Sequence, residues 1–235
     1  MMNTLENFQQ NGFAIVPNVI DAATVSALLN DLAGVRSTDA VKQRAGRAFG
    51  IRRLLELVPA VCALAESRVL RALVDPVLGS DAKIVRGIFF DKTPVANWKV
   101  PWHQDTMIAV REKRQFAGFS AWSVKAGVVH VQPPVEILAS ILTVRLHLDD
   151  TDETNGALRV LPGSHSHGIL SDDAIQQWKA QQSAWVCAVP SGGALLMCPL
   201  LLHASSIATH PTHRRVLHLE YSAAKLPGGL EWYGS

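Results

Sequence analysis

The stretch KVPWHQDTMIAV, residues 99–110, places His103 two residues before Asp105, between a Pro-Trp pair and an apolar run. In a strand, side chains at i and i+2 leave the same face, so this pair has the geometry to grip one metal ion. The pattern alone carries little weight. With 9 His and 12 Asp in 235 residues, on the order of half a His-x-Asp is expected by chance. A second occurs at His147-Leu148-Asp149, so the rest of the chain has to choose between them.

Outward from this stretch, the sequence reads as a β-protein with a helical start. Up to about residue 80 the periodicity is helical. Asp21 caps a helix with Val25, Leu28, Leu29 and Leu32 on one face, Pro59 sits in the first turn of another, and Ser67 caps a third that reaches Asp75-Pro76. From residue 83, eight β-like segments follow: KIVRGIFFDK, VPWHQD, GVVHVQ, SILTVRLHLDD, ALRVLPGSH, AWVCAVP, GALLMCPLLLHASS and RRVLHLEYSA. Asn155-Gly156 signals a hairpin between the fourth and fifth. One helix, SDDAIQQWKAQQ with Ser171 as cap, interrupts the set. The predicted fold is mainly β with flanking helices, a double-stranded β-helix (jelly roll) in one domain over residues 1–235.

Composition sets the bounds. Hydrophobic residues make up 48% and charged ones 18%, with a net charge of +2. That balance suits an ordinary globular chain and gives no ground for a nucleic-acid or membrane partner. MMNTLENFQQ has neither the basic nor the apolar region of a signal peptide, and the longest apolar run is too short for a spanning helix. Cys62, Cys187 and Cys198 form no CxxC and cannot all pair, so reduced thiols and a cytoplasmic location are expected. Oligomeric state is not legible.

A metal site needs a third ligand. PLLLHASS places His203 near the end of the seventh segment, and eleven residues later the eighth opens with two arginines. Two His and one carboxylate on one face of the ion is the ligand set of non-heme Fe(II) oxygenases. An arginine fork suits the far carboxylate of 2-oxoglutarate. Arg214 and Arg215 point to opposite faces of a strand, so only one can serve such a site.

With FFDKTP, PWHQD, NGALRVLPGSH and HASS…HRR in that order, the sequence resembles the phytanoyl-CoA dioxygenase family of Fe(II)/2-oxoglutarate oxygenases. The resemblance covers roughly residues 84–222, with a looser echo in NGFAIVPNVIDAATV. It implies His103, Asp105 and His203 as metal ligands, Arg214 as the 2-oxoglutarate anchor, and Ser205 and Lys92 as further contacts to the same cosubstrate. It also implies a jelly roll in which four strands separate the His-x-Asp from the distal His. Only 54 residues lie between Asp149 and His203, and they must hold a helix as well, so the rival pair fails; from Asp105 the gap is 98.

The activity implied is hydroxylation of a C–H bond of a small molecule, with O₂ consumed and succinate and CO₂ released. A metal-binding jelly roll without turnover, in a binding or regulatory role, is the alternative. A halogenase would lack the carboxylate, and Asp105 is present. Substrate contacts are expected from the long 106–136 segment, read as a structureless lid, through Phe116, Phe119 and Trp122 with Arg111, Lys113 and Arg114. Thr143 and Arg145 are the other candidates. His130, His210, His213 and His218 carry no signal.

Overall fold

The computed structural model describes residues 4–35, 38–44 and 47–234. The first part of the chain forms α1 (Thr4–Asn11), β1 (Phe13–Val16), α2 (Ala22–Ala33), β2 (Val41–Arg44), β3 (Arg47–Ile51), α3 (Leu54–Leu57), α4 (Pro59–Ala65) and α5 (Arg68–Leu78). The expected caps are present. Asp21 accepts from the Thr24 amide, Ser67 from that of Leu70, and Pro59 occupies the start of α4. α5 continues through Pro76 to Leu78, because a proline in the last turn forfeits one hydrogen bond and Gly79 then closes on Asp75. This part is less purely helical than its sequence reads, since β1, β2 and β3 all join the main sheet.

Next come β4 (Lys83–Lys92), β5 (Val100–His103), β6 (Ile108–Val110), β7 (Ser120–Lys125), β8 (Val128–Gln132), α6 (Val135–Ala139), β9 (Ile141–His147) and β10 (Leu158–Val160). The chain ends through α7 (Asp172–Gln181), β11 (Trp185–Val186), β12 (Ala194–Met197), β13 (His203–Ser205) and β14 (Arg214–Ser222). Two antiparallel sheets make the jelly roll, one of seven strands ordered β1-β12-β9-β14-β4-β3-β2 and one of four ordered β11-β10-β13-β5. The alternation of side chains assigns their faces. Leu142, Val144 and Leu146 of β9, with Leu217, Leu219 and Tyr221 of β14, pack against α2, α4 and α5. The residues between them, Thr143, Arg145 and His147 on β9 and Arg214, His218 and Glu220 on β14, are buried as well, on the opposite face. Tyr221 ties sheet to helices, its hydroxyl donating to the Ala65 carbonyl at 3.0 Å.

Two turns differ from their sequence reading. GALLMCPLLLHASS is two strands in different sheets, because Pro199 cannot donate to a ladder and the chain crosses over at Cys198–Leu202. Asn155-Gly156 does form a turn, with Gly156 at φ +83°. It closes no hairpin, since β9 pairs with β12 and β14 while β10 pairs with β11 and β13. The turn carries the chain from one sheet to the other.

The 106–136 segment is not a structureless lid. Strands β6, β8 and β7 form a third antiparallel sheet with its own small core of Ile108, Val110, Phe119 and Val131, closed by Trp232. Alternating apolar residues in MIAV and VVHV satisfy a sheet period, and the C-terminal segment covers them. Arg114 donates to the Gly228 carbonyl, and the Phe116 ring fills the space above Gly228. Amide hydrogen exchange at residues 108–110 and 128–131 of the ligand-free protein is therefore expected to be slow, at the level of the central strands. Rapid exchange there would restore the lid.

Candidate metal centre

The centre forms where β5 and β13 pair, with His103 directly opposite His203. Their ring centroids lie 4.2 Å apart, as cross-strand neighbours on one face must. Asp105 follows two residues after His103, and its backbone amide is anchored to the Pro199 carbonyl at 2.9 Å. Its two carboxylate oxygens stand 3.7 Å from His103 Nε2 and 3.6 Å from His203 Nε2. Gln104, between the ligands and on the other face, clamps the neighbouring loops. Its amide donates to the Gly168 and Leu200 carbonyls and accepts from Leu170 N–H.

Proton placement tests whether these residues fit a cation. His103 Nδ1 lies 2.9 Å from the Pro101 carbonyl and His203 Nδ1 lies 2.9 Å from that of Leu201. A carbonyl can only accept, so each ring carries its proton on Nδ1 and turns the Nε2 lone pair toward Asp105. Burial pushes the His203 imidazole down to about 4, so it is neutral at pH 7. Burial also works against the Asp105 charge, but the side chains facing it, Arg86 among them, outweigh burial and the carboxyl stays ionised. Three acceptors thus converge with no donor between them, at separations too long for hydrogen bonds. A divalent ion satisfies all three. Among the described residues no other group of three His, Cys, Asp or Glu side chains has this convergence.

Arg214 and Arg145 supply the complementary charge. Both are buried and line the same cavity of about 130 Å³ between the two sheets, with Ser205, Trp98, Leu158, His218 and Glu220. Arg214 donates through Nη1 to the Gly156 carbonyl, and its Nε has no partner among the described residues. Arg145 donates to His218 Nδ1 at 2.8 Å, and its Nε is likewise unmatched. Burial works against both charges, and for Arg214 so does the charge of Arg145; an anion between them would restore both. Lys92 lies opposite Arg214 in the β4–β14 ladder and donates to Ser205 Oγ at 2.7 Å and to the Ser206 carbonyl at 2.6 Å. Burial and Arg214 bring its amine down to about 7. Gly156 suits its place because its φ is +83° and a Cβ there would crowd the Ser206 carbonyl oxygen at 3.1 Å as well as Lys92 Nζ at 2.9 Å.

The structure therefore brings together His103, Asp105, His203, Arg214, Ser205, Lys92 and Arg145. It does not bring Phe116, Phe119 and Trp122, which pack in the small core of the third sheet. Thr143 is fully buried on β9, outside the cavity lining. The rival pair is otherwise engaged. His147 Nδ1 meets Thr151 Oγ1 at 2.7 Å, and Asp149 holds the Arg215 guanidinium through two bonds of 2.8 and 2.6 Å. Arg86, His218 and Glu220 were missed. They form a relay along the cavity wall, with His218 Nε2 donating to Glu220 at 3.0 Å and Arg86 joining Glu220 at 3.2 Å. Their signal was alternation. Arg214, His218 and Glu220 share one face of an otherwise apolar strand.

A family model described as phytanoyl-CoA dioxygenase (PhyH) matches residues 8–216. Comparison with curated protein sequences finds no relative. Among solved structures, AviO1 from Streptomyces viridochromogenes Tue57 is 21% identical, with a TM-score of 0.66 over 96% of this chain and 94% of its own. EctD from S. alaskensis, crystallised with 2-oxoglutarate and 5-hydroxyectoine, is 16% identical, with a TM-score of 0.72 over 92% of this chain and 73% of its own. HygX from Streptomyces hygroscopicus, crystallised with nickel, 2-oxoglutarate and hygromycin B, is 17% identical, with a TM-score of 0.66 over 94% and 86%. The fold is shared across all three.

Asp105→Ala is expected to remove most of the affinity for a divalent ion, whereas Asp149→Ala should leave it within a factor of about two. Calorimetric titration of Mn(II) into each variant reads the difference. Loss in the Asp149 variant alone would move the centre to the rival pair.

Proposed function

The chain belongs to the phytanoyl-CoA dioxygenase family of Fe(II)- and 2-oxoglutarate-dependent oxygenases, and on that premise we propose the work of its individual residues. His103, Asp105 and His203 hold the iron, and Arg214, Ser205 and Lys92 hold 2-oxoglutarate. The observation that carries this reading is the convergence of three acceptors beside two buried guanidinium groups with unmatched Nε atoms. When bound, Fe(II), 2-oxoglutarate and O₂ together supply the oxidising equivalent for C–H hydroxylation, with succinate and CO₂ as coproducts.

The protein's own contributions follow from the geometry. Leu201 and Pro101 carbonyls fix the imidazole tautomers, so both Nε2 atoms are ready to ligate. Arg214 presents a planar fork from the barrel wall, and Ser205 and Lys92 hold its end of the cavity in place. Ile88, Phe90, Val100 and Leu158 line the rest and limit water around the oxidant. His103 and Asp105 are 37% and 30% exposed against 5% for His203, so a substrate approaches from their side. The substrate is a small molecule, as are the molecules bound in the neighbours crystallised with 5-hydroxyectoine and hygromycin B. Free thiols at Cys62, Cys187 and Cys198 support a cytoplasmic location. The chain acts as one jelly-roll unit with its helical part up to about residue 80.

Turnover of 2-oxoglutarate to succinate by the Fe(II)-loaded protein is the direct test. Arg214→Ala should raise the apparent constant for 2-oxoglutarate at least about tenfold, since a lost charge-assisted fork costs roughly 1.5–3 kcal/mol. Arg215→Ala should change it far less, because that guanidinium is bound to Asp149. The reverse pattern would overturn the assignment of the anchor.

A further inference from the structure

The cavity at the metal centre, about 130 Å³, is smaller than the roughly 300–1,000 Å³ that encloses a whole small-molecule ligand. The cosubstrate takes part of it. A substrate therefore extends outside, and a cavity of about 320 Å³ lies directly beside it, sharing four wall residues, Arg86, Ile88, Phe90 and Trp98. Its body is apolar, with Ile51 and a tilted Phe49–Trp98 pair whose ring centroids are 5.6 Å apart.

The charges of this second cavity are all of one sign. Lys42 of β2, Arg52 just beyond β3 and Lys125 of β7 line it from three parts of the chain, and among the described residues no carboxylate does. Arg86 is already neutralised by Glu220. The side chains of Lys42, Arg52 and Lys125 have no hydrogen bond or ion pair among the described residues. The nearby Asp39 is turned to Arg53, at 3.9 Å. The crowding has measurable effects. Desolvation, then the charges of Arg52 and Lys125, hold the Lys42 amine below its ordinary value. Burial, with Arg86 and then Lys125 and Arg52, pushes His130 on the same wall down to about 4. Lone surface lysines are normally just solvated. Three cations without a partner among the described residues, around an aromatic cavity that shares a wall with the metal centre, are suited to receive negative charge.

We propose that this cavity is the outer half of the substrate site, and that the substrate carries a carboxylate or phosphate group held by Lys42, Arg52 and Lys125. Its apolar body lies along Phe49, Trp98 and Phe90, with the carbon to be oxidised at the metal end. This assignment rests on the oxygenase reading of the metal centre, but the anion site is tested without turnover.

Phenyl phosphate and benzoate, one probe for each anion, are titrated calorimetrically into the full-length protein loaded with Mn(II) and saturating 2-oxoglutarate. At least one probe is expected to bind at millimolar concentration or below, and more weakly as salt is raised. The triple variant Lys42→Gln/Arg52→Gln/Lys125→Gln should weaken that probe at least about tenfold. It should bind 2-oxoglutarate as the unsubstituted protein does, which certifies its fold. Arg214→Ala should weaken 2-oxoglutarate and leave the probe within about twofold. The proposal is overturned if neither probe binds, if the triple variant binds as tightly as the parent, or if Arg214→Ala abolishes the probe while the triple variant keeps it. Failure of 2-oxoglutarate to bind the unsubstituted protein, with the probes behaving as expected, sinks the oxygenase reading and leaves the anion site standing.

Discussion

Two imidazole lone pairs and a carboxylate point at one spot between two β-sheets, and no donor among the described residues answers them. Acceptors brought this close, with no donor among the described residues between them, repel one another. The scaffold has to hold this arrangement against its own electrostatics. It does so with main-chain bonds that do not depend on the ion. The β5–β13 ladder sets His103 opposite His203, and two carbonyls fix the ring tautomers. The Pro199 carbonyl holds the Asp105 amide.

The same constraint explains why β9 and β14 are buried on both faces yet alternate in chemistry. One face is leucine, valine and tyrosine against the N-terminal helices. The other carries arginine, histidine and glutamate into the barrel. Charges placed there survive only in company. Arg145, His218, Glu220 and Arg86 form a continuous relay, while Arg214 leans on the Gly156 carbonyl. The helical layer thereby lets the inner face be polar, because the apolar burial that stabilises the sheet lies on its outer side.

Much of this was legible in the chain. The i, i+2 spacing of His103 and Asp105, the position of His203 after an apolar run, and the opposite faces of Arg214 and Arg215 are strand-period statements, and strand period is local. Helix caps at Asp21, Ser67 and Ser171 are local too. What escaped depended on partners distant in sequence. GVVHVQ reads as a strand and is one, but MIAV and the stretch around Ser120–Lys125 pair with it under the cover of the C-terminal segment around Trp232, so they resemble a loop when read alone. Asn155-Gly156 has hairpin chemistry, but pairing belongs to whichever strands the sheets bring alongside. His218 and Glu220 looked unremarkable because a lone histidine or glutamate in an apolar strand gains meaning only once its face is known to be the inner one.

Gln104 sits between His103 and Asp105 and faces away from them, its amide spent on three backbone groups of two loops. That bond set forms on folding and owes nothing to iron. The entropy of ordering the ligands is thus lost when the chain folds, and little remains to be lost on binding. A centre built this way behaves as a socket. Metal exchange in such a socket would leave the barrel intact, and selection among metals would pass to the supply available to the protein.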